Sequence, residues 1–223
     1  MIRQLAFDLP ARPALGRGDL FVSPANALAV ASLDAWRDWP QGKMILVGPH
    51  GAGKTHLAHV WASDADAVLV DCGALPGTDL AALAEEAAVV LEDADTLAGD
   101  DEAEAVLFHL HNLLRERRRP FLLTASTPPR DWGLHLADVQ SRMLAAPVAR
   151  LDAPDDSLLS AVLVKLFADR QITVPPALVS WLMSRMDRDL GTARALVAAL
   201  DARSLAEQRP VNRQMALEVL AGI

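Results

Sequence analysis

Gly48-Pro49-His50-Gly51-Ala52-Gly53-Lys54-Thr55 satisfies every specified position of the phosphate-binding pattern G-x-x-x-x-G-K-[ST]. The flanks give the match its meaning. Met44-Ile45-Leu46-Val47 before it is a short apolar run that reads as a buried strand, and from His56 to Ala62 apolar residues fall at helical spacing. Glycines let the backbone curl so that its N–H groups face one point, and the helix N-terminus adds partial positive charge there. Lys54 is placed to reach the β- and γ-phosphates of a nucleotide, and the Thr55 hydroxyl to ligate Mg²⁺. The whole loop, Gly48, Pro49, His50, Gly51, Ala52, Gly53, Lys54 and Thr55, together with His56, is the candidate nucleotide cradle.

Outward from the loop, strands and helices alternate. Residues 67–71 and 89–93 read as two further strands, 120–126 as a fourth and 147–151 as a fifth. Helices are expected over 24–36, over 78–86, over 101–119 and near 136–143. Alternation of this kind predicts an α/β fold with a five-stranded parallel sheet covered on both faces and ligands at the strands' carboxyl ends. Past residue 152 the strands cease, and 155–170, 175–186, 189–208 and 212–220 all carry helical spacing, with Pro175 and Pro210 suited to helix starts. The expected domains are therefore a tail at 1–22, a nucleotide-binding core at 23–152 and a small all-α lid at 153–223.

The strand over 89–93 ends in Glu92-Asp93 at the edge where the loop sits, so Glu92 is placed to hold Mg²⁺ together with Thr55, and Asp93 to orient water. In the usual form of this element the first acid is aspartate and the second often glutamate. The reversed order predicts slow intrinsic hydrolysis. Ser126 and Thr124, at the end of the fourth strand, offer hydroxyls to water or to a γ-phosphate, or serve as local turn caps. Arg115, Arg117, Arg118 and Arg119 close the helix over 101–119, where cations complement the dipole; contact with DNA or protein is the other reading.

A chain of 223 residues can bury a sizeable core unaided, and Cys72 is its only cysteine, which suits a reducing compartment. No signal-peptide pattern and no run of about 18 apolar residues is present, so a soluble, cytoplasmic protein with no membrane partner is expected. A formal net charge of -8 argues against broad, sequence-independent nucleic-acid binding. Near the N-terminus, Gln4-Leu5-Ala6-Phe7-Asp8-Leu9 sets an amide and three large apolar groups in a segment too short for its own core. These side chains either anchor in a groove of another protein or pack back on the domain.

Taken together, the loop at 48–55 with His56-Leu57, the acids Glu92-Asp93, the stretch Leu122-Leu123-Thr124-Ala125-Ser126-Thr127-Pro128-Pro129, then Ser141-Arg142-Met143 and Met186-Asp187-Arg188-Asp189-Leu190 resemble the AAA+ ATPases. Within them the chain is most similar to the branch of the bacterial initiator DnaA and its shortened relatives, the Hda family. That resemblance implies a sensor strand ending at Ser126, an arginine finger at Arg142 acting in trans, and a lid residue, Arg188, touching the chain's own nucleotide. It implies ADP or ATP with Mg²⁺, weak intrinsic ATPase activity, and stimulation of ATP hydrolysis on DnaA to restrain replication initiation. Gln4, Leu5, Phe7 and Leu9 resemble the family's docking peptide for the β sliding clamp, the β subunit of DNA polymerase III, through which DNA is met indirectly. The chain's end at Ile223, when the lid is just complete, fits Hda rather than DnaA, which continues into a DNA-binding domain. A homodimer is compatible with this reading. Competing expectations are an autonomous ATPase such as a DnaC-like helicase loader, and a nucleotide-gated clamp adaptor serving another target.

Overall fold

The computed structural model describes residues 17–222. The tail peptide with Gln4, Leu5, Phe7 and Leu9 lies outside them.

Five parallel strands form one sheet: β1 (Lys43–Val47), β2 (Ala67–Asp71), β3 (Ala88–Glu92), β4 (Phe121–Ala125) and β5 (Val148–Arg150), in spatial order β2-β3-β4-β1-β5. The registers Ile45↔Leu123 and Ile45↔Val148 put β1 between β4 and β5. All residues of β1 and β4 are buried, as a parallel sheet covered on both faces requires. On one face lie α1 (Ala27–Asp34) and α2 (Lys54–Ala65); on the other lie α3 (Leu80–Leu83), α4 (Asp101–Glu116) and α5 (Ala137–Leu144). Each face has its own apolar core. Ile45, Leu91, Leu107, Leu110 and Leu123 belong to one, Leu46, Val90, Trp61 and Leu122 to the other, because alternate strand residues point to opposite sides.

The helices α6 (Asp156–Asp169), α7 (Pro176–Met183), α8 (Leu190–Glu207) and α9 (Arg213–Leu220) follow, and a third core of Leu159, Leu163, Phe167, Leu182, Leu196, Leu200 and Met215 is drawn from them. Side-chain caps fix their starts: Asp155 accepts the Leu158 N–H, Asp189 that of Thr192 and Asn212 that of Met215. Pro175 precedes α7 as expected of a proline at a helix start.

Where element ends differ from the sequence expectation, local backbone explains it. The first helix, expected over 24–36, is α1 at Ala27–Asp34, because Ser23 and Asn26 lock a separate turn ahead of it. Asn26 Oδ1 accepts the Ser23 N–H and Ser23 Oγ the Ala25 N–H. The α4 helix, expected to 119, ends at Glu116. Arg118 adopts φ 54°, and the Arg119 N–H turns back to the Leu114 carbonyl, closing the helix as a glycine would. At the end of β3, Asp93 leaves the strand with φ 53°. The 3-10 turn Cys72–Gly77 was not anticipated. Trp39 stacks on Trp61 at 5.2 Å, with Trp36 edge-on to Trp61 at 6.2 Å, fastening the approach to β1 onto α2.

Candidate nucleotide site and the opposite end of the sheet

The loop between β1 and α2 turns at Gly51 and Gly53, whose φ values of 69° and 100° are the left-handed region that glycine enters freely. The first N–H groups of α2 have no helical acceptor by construction and converge on the loop's concavity. Lys54 is buried, and its Nζ donates to the carbonyls of Gly48 (2.9 Å) and Pro49 (3.2 Å), folded over its own loop. Thr55 is exposed at the helix start.

At the neighbouring end of β3, Glu92 carries a buried Oε1 with no hydrogen-bond partner among the described residues. Asp93, the expected water-orienting acid, has an exposed side chain, while its N–H donates to Thr124 Oγ1 at 2.9 Å. Thr124 is thus a buried brace between β3 and β4. Ser126 stands exposed at the end of β4, its N–H bonded to Asp95 Oδ2 at 2.8 Å. Asp95, not assigned a role from sequence, also accepts the Thr127 N–H, and so shapes the turn that presents Ser126.

Convergent N–H donors, Lys54, the Thr55 hydroxyl and an unpartnered Glu92 oxygen make a donor set suited to a nucleoside di- or triphosphate with a divalent ion. Among the described residues no cluster of three or more His, Cys, Asp or Glu forms a metal site on its own. A magnesium ion here would therefore depend on phosphate oxygens, Thr55 and Glu92 together, as is usual for that cation.

The helical lid meets this loop directly. The Leu190 N–H donates to the Gly51 carbonyl at 2.9 Å, and Asp189 Oδ2 lies 3.3 Å from His50 Nδ1. A Cβ on Gly51 would fall 1.6 Å from Asp189 Oδ2, so glycine is required there by the lid as well as by φ. Burial alone would raise the Asp189 pKa. The Thr192 N–H and His50 outweigh it and hold the carboxyl below its ordinary value. Arg188 is turned from the loop towards α6. Its Nη2 pairs with Asp156 Oδ1 at 2.8 Å, both side chains exposed, an ion pair worth about 0–1 kcal/mol and easily exchanged for a phosphate.

Arg142 occupies the other end of the sheet. It sits in the last turn of α5, half-buried, and its carbonyl accepts Lys43 Nζ at 2.7 Å; Lys43 is the first residue of β1. From there to Gly48 the strand runs about 16 Å at its usual rise. Arg142 and the chain's own loop are therefore a strand length apart. Of the four arginines at the end of α4 and just beyond it, Arg117 is engaged with Glu85 and the Ala81 carbonyl, and Arg119 with the Glu85 carbonyl. These two serve the seam between α3 and α4.

The comparisons agree with this architecture. A family model described as "Hda, lid domain" matches residues 156–214. Domain III of the Thermotoga maritima replication initiation protein DnaA superposes with a TM-score of 0.81 at 17% identity, over 96% of this chain and 98% of that one. AMPPCP-bound DnaA from Aquifex aeolicus gives 0.74 at 14% identity over 93% and 70%, and Thermotoga maritima RuvB gives 0.66 at 19% over 88% and 67%. At such identities the likeness is one of fold, and the fold is that of the AAA+ proteins. The chain therefore carries a lid matching that of the Hda family behind a core with the fold of DnaA domain III.

Proposed function

We propose that this protein restrains replication initiation by stimulating ATP hydrolysis on DnaA, supplying Arg142 across the interface between the two proteins. The observation that carries the reading is the position of Arg142. It lies at the amino end of the sheet, a strand length from its own phosphate loop, half-buried and without a carboxylate partner among the described residues. A guanidinium so placed serves a phosphate on another subunit, where stabilising the transferring phosphoryl group is worth about 10³- to 10⁵-fold in rate.

The chain's own loop, Gly48 to Thr55 with His56, holds ADP or ATP. Lys54 exchanges its carbonyl partners for phosphate oxygens, and Thr55 and Glu92 hold Mg²⁺. Bound nucleotide is retained rather than turned over, because Asp93 is rotated out of the strand by its left-handed backbone and its N–H is committed to Thr124. Ser126 and Arg188 report on the nucleotide from the fourth strand and from the lid, Arg188 by leaving Asp156. Gln4, Leu5, Phe7 and Leu9 dock on the β sliding clamp, which brings DNA and DnaA within reach.

The test is an ATP-hydrolysis assay of DnaA with clamp loaded on DNA. Stimulation is expected with the full chain, loss on deleting residues 1–9, and loss with Arg142→Ala while clamp binding persists. Stimulation that survives Arg142→Ala would refute the trans role. Robust turnover by the purified protein alone would favour the autonomous-ATPase reading instead.

A further inference from the structure

The helix that carries Arg142 is held at both ends by buried charges. At its start, Glu104 of α4 is fully buried. Its carboxylate accepts the N–H groups of Gly99 (2.9 Å), His135 (3.0 Å to each oxygen) and Leu136 (2.8 Å), the last being the residue that precedes α5. Burial alone would raise the Glu104 pKa; the N–H donors of Leu136, His135 and Gly99 outweigh it and keep the group ionised below its ordinary value. At the far end, the Arg142 carbonyl lies in the last helical turn, where backbone acceptors have no helical donor, and Lys43 Nζ fills that need at 2.7 Å. Anion at the start and cation at the end match the helix dipole in sign.

Lys43 is only 3% exposed, and no carboxylate among the described residues contributes to its environment. The charged and titratable groups facing it are Arg142 from α5 and Arg115 and His111 from α4. His111 is itself buried, with its Nε2 unpartnered among the described residues. Burial, then Lys43, Arg142 and Arg115, push its pKa down to about 4, so it is neutral at pH 7 and supplies no counter-charge. A buried ammonium among like charges is costly to keep. Its one evident compensation is the carbonyl end of the helix bearing Arg142.

We infer that Lys43 is a positioning residue for Arg142: it tethers the backbone of the finger-bearing helix while its charge, unopposed by any acid, drives the Arg142 guanidinium outward towards the partner's phosphate. The inference rests on the proposed role of Arg142 in trans. Neutralising the ammonium weakens both effects, since a neutral amine donates a weaker hydrogen bond and repels nothing. Burial, reinforced by Arg142 and Arg115, brings the Lys43 pKa down to about 8, so neutralisation falls within an accessible range.

The experiment measures DnaA ATP hydrolysis at saturating protein on DNA-loaded clamp, divided at each pH by the rate of DnaA alone. Three proteins are compared: the unmodified chain, Lys43→Met and Arg142→Ala. Lys43→Met should lower the maximal stimulated rate about tenfold, with the half-saturating concentration and clamp binding held and the thermal midpoint at pH 7 not lowered. Stimulation by the unmodified chain should fall between pH 7 and 9 with a midpoint near 8, and Lys43→Met should stay low throughout. Full stimulation by Lys43→Met would overturn the inference, as would a flat profile for the unmodified chain, which needs no variant to fold. Loss with Arg142→Ala but not with Lys43→Met refutes the positioning role alone. Retention of stimulation by Arg142→Ala refutes the function and this inference with it.

Discussion

The two ends of the sheet are built on opposite principles. At the carboxyl end the backbone does the work. Glycines at left-handed φ leave donors unfilled, Lys54 rests on its own carbonyls, and the lid touches the loop through one main-chain bond and an exposed histidine. At the amino end buried side chains do the work, with Glu104 and Lys43 fixing the two ends of α5, the helix that bears Arg142. A site made to take up a ligand keeps groups free and exchangeable. A site made to deliver one side chain into another molecule fixes everything behind it.

The largest effect should come from breaking the delivering end. Arg142→Ala is expected to reduce stimulated hydrolysis on DnaA by about 10³-fold or more, leaving the protein's own nucleotide affinity unchanged, as equilibrium binding to each protein would show.

Next is the linked stability of Lys43. Its folded pKa lies below its unfolded value. Below about pH 8 the lysine is charged in both states and the burial penalty is fully present; between about 8 and 10.5 only the unfolded chain keeps the proton, so stability rises with pH. That gain is on the order of 3 kcal/mol, from a shift of 10.5 to about 8. Denaturant unfolding at pH 7 and 10 should show it in the unmodified chain, and Lys43→Met should lose it.

A smaller effect belongs to the receiving end. Gly51→Ala combines φ 69° with a clash against Asp189, whereas Gly99→Ala has φ 89° but nothing within 4 Å. Backbone strain costs about 1–3 kcal/mol at either position. Any excess at Gly51, read from unfolding midpoints together with weakened nucleotide binding, measures lid docking on the loop. Equal losses at both glycines would mean that the lid contact contributes nothing.

The same asymmetry explains what could be read from the chain. The carboxyl end is written in local signals: a glycine loop between an apolar run and a helix, acids ending the run at 89–93, and strand–helix alternation that specifies the parallel sheet. Helix ends were less legible, because Arg118 takes a conformation that the sequence gives no reason to expect of arginine. At the amino end Arg142 stood out through resemblance alone. Lys43 and Glu104 look in sequence like ordinary surface charges, since nothing local marks the partners of theirs that lie 99 or 31 residues away. The Asp156 partner of Arg188 was hidden for the same reason, the helix-start acids Asp187 and Asp189 being nearer in sequence.

The most direct measurement follows a single turnover of labelled ATP loaded in turn on each protein, in a mixture of both with clamp on DNA. Label bound to DnaA should be converted to ADP at the stimulated rate, while label bound to this protein stays as ATP over the same interval. The reverse result, with conversion confined to label held by Gly48 to Thr55, would contradict an account in which this chain keeps its nucleotide and lends Arg142 to its partner.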